Sequence, residues 1–470
     1  MGTKNRVFLA LLTGTAIIGL LFTACQQAPP PPEISSVAPV PETKQIPIPP
    51  TPSTSPITTP MPATKIASPS PSSVKPPITQ VKPTTTPAVT PGITNEMKVG
   101  LHTTKATGEQ KFISVLVNFP DVKRTISENV IRERITSVVP DYFREASYNK
   151  LELKGSATKV YSLPRSVSEY RISPYNLEVD PERVISLVND SLNAADADVN
   201  FSENDYISLH LGATPKEYGM IGYCAVPGML GWQEKQAITA KSGESIKNAA
   251  VYCENAHVGT YVHDFLHMIG GEVNGQRMTP CLYDHDLQLK NSSTEDWPRC
   301  LVNMGFWDPL SSHWPYKRDL PPAGLSSWTK LRLGWIAAEK IAFINKGETV
   351  TVNLGPLADG NSSTLVIKVP LSSTAYYLIE NRQPAGSDVN LPSSGVLILY
   401  CNDAIDECRN GKAPVKIMDA NPNVPYLNDA AFNIGKKDRY VDTTNNLAFI
   451  LQKKDGLSYQ IQVTTADKAR

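Results

Sequence analysis

Thr260-Tyr261-Val262-His263-Asp264-Phe265-Leu266-His267-Met268-Ile269-Gly270-Gly271 is the stretch of the chain that decides its fold and chemistry. It is mostly apolar and ends in two glycines, which is typical of a buried helix with a C-terminal glycine. His263 and His267 are four residues apart, so on a helix both imidazoles lie on one face and can bind one Zn²⁺ ion. An isolated pair of this spacing also occurs by chance, so the surrounding sequence has to support a metal site.

Asp264 stands where the usual HExxH motif has the glutamate that acts as general base. Aspartate keeps the carboxylate but is one methylene shorter. This withdraws the carboxylate by roughly 1.5 Å, and a misplacement of about 1 Å can lower a rate about 10²-fold. The pattern therefore predicts metal binding by His263 and His267, with Asp264 as a weak catalytic base.

Seven blocks along the chain resemble, in the same order, segments of the immune-inhibitor-A (M6) family of zincin-type metallopeptidases. Each block is only moderately specific, and their shared order supports the resemblance. The blocks are Val115 to Phe119 with Asp121, Tyr142 to Leu151, Leu282-Tyr283-Asp284, Phe306 to Ser311, Trp328 to Trp335, Tyr377 to Gln383 and Gly395 to Ile398. The resemblance implies a secreted zinc peptidase that hydrolyses peptide bonds in proteins or peptides.

The third zinc ligand is less well defined than the two histidines. The resemblance favours Asp284, because it lies in a block similar to the family's DLYD segment. Three departures from the family pattern are Asp264, Val273 in place of an aspartate, and Leu310 in place of a frequent methionine. Four other residues remain open as the third ligand, each of which could instead be a loop residue or a helix cap: Glu272, His285, Asp286 and Asp308.

The N-terminus has the pattern of a secretory signal, with basic Lys4 and Arg6 followed by an apolar run. Leu21 to Cys25 resembles a bacterial lipobox. We therefore expect a lipoprotein signal peptide at residues 1–24, a lipid on Cys25 and an extracytoplasmic protein anchored to the bacterial cell envelope. Ordinary signal-peptidase cleavage nearby would also export the protein. Residues 25–97 are rich in Pro, Thr and Ser, which predicts a disordered linker.

Six cysteines follow Cys25, and an even number in an exported chain favours disulfides over a thiolate metal site. The sequence alone does not fix how they pair. Pairing nearest neighbours would join Cys224 with Cys253, Cys281 with Cys300 and Cys401 with Cys408.

The rest of the chain predicts an α+β fold with two parts. Residues 98–342 mix strands and helices and would form the zincin-like domain, with strands at 112–119, 151–161 and 207–211. One helix is predicted from an N-cap at Ser127 to residue 143, and a second at 181–194. Residues 343–470 carry short strands separated by Gly, Pro and Asn, which predicts a β-rich C-terminal subdomain.

Several other residues have structural interpretations. Trp307, Trp328 and Trp335 are expected to pack the core, and Glu380 with Arg382 to form a structural ion pair. His257 could lie near the metal or at the surface, and His313 could stabilise charge in the transition state. A group of oxygen-bearing side chains could hold Ca²⁺ or simply form turns: Asp403, Asp406, Asp419, Asn421 and Asn423.

Two functions are favoured after this examination, and a third, a purely structural envelope protein, is disfavoured by the helix with paired histidines but stays open. The first is a surface metallopeptidase of low activity, and the second is an inactive zincin-fold module that binds or adheres on a stalk. Asp264 favours the second, while retention of both histidines favours metal binding. Lys and Arg total 45, equal to Asp and Glu, so the chain lacks the basic excess of nucleic-acid-binding proteins.

Overall fold

The structure, a computed structural model, describes residues 93–172, 179–226, 238–288, 297–317 and 320–469. The predicted signal peptide, Cys25 and nearly all of the linker lie outside the described residues. The predicted linker runs to residue 97, but a first helix, α1 (Asn95–Val99), already begins within it, because the Thr94 hydroxyl caps it by accepting from the Met97 N–H. Within the described ranges, none of the helices combines the length and apolar character that crossing a membrane requires.

The fold mixes helices with several sheets, as expected. In the first half, the described strands are β1 (Gly108–Asn118), β2 (Leu151–Ser162), β3 (Tyr206–Leu211), β4 (Gly222–Val226), β5 (Ile238–Thr239), β6 (Ser245–Ile246), β7 (Ala249–Cys253), β8 (Glu272–Val273) and β9 (Gln276–Arg277). Five of them form a sheet in the order β2-β1-β3-β7-β4, in which β4 alone is antiparallel to its neighbour. The pairs β5-β6 and β8-β9 are small hairpin-like ribbons.

The helices of this half pack on both faces of the five-stranded sheet. They are α2 (Glu128–Glu133), a π-helical segment (Arg134–Val138), α3 (Val139–Ala146), α4 (Val167–Tyr170), α5 (Pro181–Ala195), α6 (Pro215–Tyr218) and α7 (Val258–Gly270). The helix predicted toward residue 143 begins after its predicted N-cap, Ser127, but it is irregular along its length. Pro140 has no N–H to donate to the carbonyl four residues earlier, and the wider π segment lies directly before it.

Alternate residues of the sheet enter two different cores. Val115 and Val117 of β1 pack with helix α5 on one face. Leu116 lies in the core on the other face, together with the aromatic and aliphatic side chains of α3 and α7. Because side chains alternate along a strand, the sheet separates the two cores and α7 is held against only one of its faces.

The second half contains two further sheets. Its elements are α8 (Ser327–Arg332), β10 (Ile341–Phe343), β11 (Val350–Leu354), β12 (Val366–Pro370), β13 (Ala375–Arg382), β14 (Gly395–Asn402), β15 (Val415–Ile417), β16 (Arg439–Asp442), β17 (Leu447–Asp455) and β18 (Ser458–Thr464). The strand orders are β10-β12-β13-β14-β15 and β11-β18-β17-β16. Short 3₁₀ turns complete the described elements: Phe201–Glu203, His285–Leu287, Trp297–Cys300, Ala338–Lys340, Gly386–Asp388, Pro425–Leu427 and Ala466–Ala469.

The two halves share a hydrophobic core. Leu378 and Leu397 of the second sheet belong to the same core as Leu116 and Phe265, while Ile379 and Ile398 face the third sheet. Pro87–Arg470 forms one compact unit. At the boundary predicted between residues 342 and 343 the chain changes from mixed strands and helices to mainly strands, but one hydrophobic core includes residues from both sides.

Candidate metal centre

Helix α7 carries the two histidines through the core. It begins at His257, whose Nδ1 accepts a hydrogen bond from the Gly259 N–H at 3.0 Å, and it ends at Gly271, which has a positive φ of 57°. Every residue from Gly259 to Gly270 is buried. His257 is therefore the N-cap of α7, a role that the sequence did not suggest, and α7 is a rigid support for side chains that face inward.

His263, His267 and Cys281 form a buried cluster that could hold a metal ion. The two Nε2 atoms lie 3.0 Å apart. The Cys281 sulfur lies 3.7 Å from Nε2 of His263 and 3.5 Å from Nε2 of His267. The helical spacing of the histidines brings their rings together as predicted. The third member of the cluster is a cysteine from the loop that follows the helix.

Backbone carbonyls fix which nitrogen of each imidazole carries the proton. Nδ1 of His263 is 2.8 Å from the Pro309 carbonyl oxygen, and Nδ1 of His267 is 2.5 Å from that of Thr279. A carbonyl oxygen can only accept, so both Nδ1 atoms are donors. Burial lowers the pKa of His263 to about 4 and that of His267 well below its usual value, so both rings are neutral and both Nε2 atoms carry lone pairs.

Two lone pairs that face each other at 3.0 Å cannot hydrogen-bond to each other. The thiol of Cys281 can donate its single proton to only one of them. A cation satisfies both at once. An ion bound at about 2.0 Å to nitrogen and 2.3 Å to sulfur in tetrahedral geometry separates its donor atoms by about 3.3 to 3.5 Å, close to the spacings in this cluster.

Asp264 lies beside the cluster but outside the group of atoms that share one ion position. Burial raises the pKa of its carboxyl well above the usual value, opposed by a hydrogen bond from the Cys224 thiol. Its Oδ2 atom is buried with no hydrogen-bond partner among the described residues. Such an oxygen is costly unless a ligand or water satisfies it, so the carboxyl adds a second indication that a polar species belongs here. Its catalytic role stays a prediction.

Asp284, the predicted third ligand, is not part of the cluster. One carboxylate oxygen accepts from the Asp286 N–H at 3.0 Å and the other from the Gly411 N–H at 2.7 Å. The side chain is thus held by backbone donors as a cap of the 3₁₀ turn that follows it. The sequence motif indicated the correct loop. Within that loop, the side chain that contacts the two histidines is Cys281, three residues before Asp284.

The other candidate ligands also lie outside the cluster. Asp308 accepts from the Leu310 N–H at 2.9 Å and from the Thr329 hydroxyl at 2.7 Å, and Asp286 pairs with Arg409 at 3.0 Å. Glu272 is exposed on β8, and the ring of His285 packs on Tyr283 with their centres 4.9 Å apart.

Two aromatic side chains flank His263. The Tyr283 ring lies nearly parallel to its imidazole, 6.0 Å away with 16° between the planes, and the His313 ring meets it edge-on at 5.8 Å. The Tyr283 hydroxyl lies 3.2 Å from the Cys281 sulfur. A cavity of about 690 Å³ opens on the His267 side of the cluster and is also lined by Cys224 and Arg277. The centre therefore has a packed side at His263 and an open side at His267.

The six cysteines after Cys25 are buried and carry free thiols in the structure. Cys224 and Cys253 belong to cores on opposite faces of the five-stranded sheet, which opposes the pairing predicted for them. The pairings of Cys281 with Cys300 and of Cys401 with Cys408 stay predictions. Cys281 was missed as a ligand because an exported chain favours disulfides; its position fourteen residues after His267 was the available signal.

The structural interpretations of the other residues are confirmed. Trp307, Trp328 and Trp335 are fully buried, and Glu380 pairs with Arg382 at 3.0 Å inside the core. The oxygen-bearing group suggested for Ca²⁺ yields no metal cluster in the described parts of the chain, where Asp403 instead pairs with Arg332. Comparison of the sequence with family models and with curated proteins finds no match.

Proposed function

We propose that this chain is a zinc metallopeptidase of the kind implied by its resemblance to the immune-inhibitor-A family, with a zincin-like fold around helix α7. His263, His267 and Cys281 would hold the ion. We further propose that a lipid on Cys25 anchors the protein outside the cell, where proteins or peptides are its substrates. The observation that carries the metal site is the pair of neutral imidazoles whose Nε2 lone pairs face each other at 3.0 Å.

The donor set favours zinc among the common metals. Two imidazole nitrogens and one thiolate form a mixed N/S set, which suits Zn²⁺ better than hard cations such as Ca²⁺ or Mg²⁺. Three protein donors leave a fourth position, and a bound Zn²⁺ would supply Lewis-acid activation of water and of a peptide carbonyl there. The carbonyls of Pro309 and Thr279 hold the two imidazoles in place, as outer contacts of metal sites generally do.

The chain offers an extended substrate an edge to bind. Among the described residues β4 has a strand partner only on its β7 side, and it runs alongside α7, with Gly222 against Thr260 and Cys224 against Asp264. A free strand edge can pair with an extended peptide through backbone hydrogen bonds. This arrangement supports a peptide as the substrate.

A second function is favoured by the position of Asp264. Its carboxylate is one methylene shorter than that of the usual glutamate, and burial raises its pKa well above the usual value, which favours the neutral form that cannot accept a proton. The chain would then be an inactive zincin-fold module that keeps the metal and binds a surface or partner. The peptidase needs the ion, whereas the binding module could work with the metal site or with the fold alone.

Zinc content and casein cleavage, measured together on the natural protein and on Asp264→Glu, separate the two functions. Zinc at about one per chain with cleavage that a chelator abolishes supports the peptidase. Zinc with cleavage only by Asp264→Glu, at a rate on the order of 10²-fold above the natural protein, supports the inactive module. Absence of zinc in both proteins would rule out the metal site and the peptidase, and would leave a binding module without metal.

A further inference from the structure

The hydroxyl of Tyr283 lies next to the sulfur of the metal centre. Its hydroxyl oxygen is 3.2 Å from the Cys281 sulfur, a separation similar to the 3.5 and 3.7 Å between that sulfur and the two imidazole nitrogens. Its ring is nearly parallel to that of His263 at 6.0 Å. The two contacts place the phenol oxygen next to one donor of the cluster and the ring next to another.

The backbone around Tyr283 holds this position firmly. Leu282 donates to the Leu310 carbonyl at 2.8 Å, and the Asp284 N–H donates to the Cys300 carbonyl at 2.9 Å. With one backbone hydrogen bond on each side of it, the Tyr283 backbone has little freedom. The residue directly after it also uses both carboxylate oxygens to bind backbone N–H groups, so the loop presents Cys281 and Tyr283 together.

We infer that Tyr283 is the fourth protein ligand of the ion, so that the resting centre has two nitrogens, one sulfur and one phenol oxygen. Tyrosine oxygen is a known metal ligand. On binding, the phenol O–H bond breaks, the proton leaves to solvent and the oxygen donates its electron pair to the ion. This inference rests on the proposed metal site but not on peptidase activity.

A fourth protein ligand would close the centre. Structural zinc sites have four protein donors, whereas catalytic sites keep one position for water or substrate. A substrate would reach the ion only after the phenol moves away, which gives a second reason, besides Asp264, for low turnover.

The test uses the full chain with tyrosine labelled by ¹³C at Cζ, observed by NMR while Zn²⁺ is added. We expect one tyrosine resonance to move by an amount typical of phenol ionisation at neutral pH. The same resonance should be missing from Tyr283→Phe. In a competition with a chromophoric chelator, Tyr283→Phe should also bind Zn²⁺ about 10- to 100-fold more weakly than the natural protein.

Tyr316→Phe is the matched control, since this tyrosine is 38% exposed and packs on Phe306. It should keep the shifted resonance and the natural affinity. If the natural protein binds one Zn²⁺ while every tyrosine resonance stays in place, Tyr283 is not a ligand and the three-donor site stands. If the natural protein binds no Zn²⁺, this inference and the proposed function both fail.

Discussion

At the scale of single residues, the cluster is defined by which side chains the backbone leaves available. Asp284 and Asp308 carry the charge expected of a ligand, but backbone N–H groups already occupy their oxygens. Among the residues that the structure describes, the Cys281 sulfur contacts the side chains of His263, His267 and Tyr283 and has no backbone partner. Burial raises the pKa of its thiol to about 12, so only an ion would make it a thiolate at neutral pH.

The choice between Cys281 and Asp284 can be tested directly. We expect Cys281→Ser to lose most zinc binding, because the soft thiolate is replaced by a neutral hydroxyl. Asp284→Asn should lose less zinc affinity than Cys281→Ser, because its amide oxygen still accepts from one backbone N–H and only the second of the two loop contacts is lost. Zinc affinity measured by chelator competition decides the matter, with Cys401→Ser as a control for loss of a buried cysteine. The reverse order of affinities would restore Asp284 as the ligand.

His210 makes a separate prediction about pH. It is buried between Tyr252 and Tyr261, its Nε2 has no partner among the described residues, and burial lowers its pKa to about 3. A folded-state pKa below the unfolded value gives stability that is present above about pH 6.5 and is lost as pH falls toward 3. For this residue alone the loss at pH 5 is about 2 kcal/mol.

We therefore expect His210→Phe to flatten the dependence of stability on pH between 7 and 5. The measurement is denaturant unfolding of both proteins with a chelator present, so that metal binding does not contribute. Parallel stability curves for the natural protein and His210→Phe would show that this histidine is not the group responsible.

At the scale of elements, helix α7 and the loop after it act together. A Cβ atom on Gly270 would come within 2.0 Å of the Thr279 hydroxyl oxygen. That hydroxyl donates to the Leu266 carbonyl at 2.7 Å, and the Thr279 carbonyl accepts from His267. Gly270 is therefore needed for close approach, because its missing side chain lets the loop orient the second histidine.

Gly270→Ala should displace Thr279 and so lower zinc affinity by about 10- to 100-fold, since the carbonyl that orients His267 moves with it. Overpacking of this kind should also destabilise the fold by about 1–3 kcal/mol. Chelator competition and thermal unfolding measure the two effects. Zinc affinity equal to that of the natural protein would mean that the Thr279 carbonyl does not control the imidazole.

Elements were predicted well from the sequence where local pattern decides them and less well where pairing does. The helix from Pro181 ends within a residue of its predicted position, because Pro181 and the Asp180 cap define its start and its apolar face is regular. Strand β1 starts at Gly108, four residues before the predicted apolar run. Its first residues are largely exposed and are held by pairing with β2, which an apolar pattern does not reveal.

The same distinction between local pattern and distant pairing explains which residues of the candidate site could be predicted. His263 and His267 follow from helical periodicity, which is local. Cys281 and Tyr283 reach the centre only because their loop is fixed by hydrogen bonds to Leu310, Cys300 and Cys408. Those partners are distant in sequence, so no local pattern could place the loop.

At the scale of the whole molecule, the second sheet supports the metal centre from behind. Arg382 on β13 binds Glu380 and Asp388 and donates to the carbonyls of Trp307 and Gly324. All three charged side chains are buried. Trp307 is two residues from Pro309, whose carbonyl holds His263. The ion network thus connects the C-terminal strands to the first zinc ligand.

Arg382→Met should destabilise the protein by about 3–5 kcal/mol, because two buried carboxylates would lose their counter-charge. Arg409→Met is the control: it removes an exposed ion pair with Asp286 and should change stability by less than about 1 kcal/mol. Denaturant unfolding compares the two. Similar small effects in both variants would show that the buried network does not stabilise the fold.

The contact between Asp284 and Gly411 joins positions 127 residues apart. It also bears on how the protein is made, because a chain leaves the ribosome from its N-terminus. When helix α7 has emerged, the loop that carries Cys281 still lacks its partners at Cys408 and Gly411. The centre can therefore be assembled only near the end of synthesis. If the chain is exported unfolded, it acquires its ion at its destination, and the metal supply of that compartment determines which ion it carries.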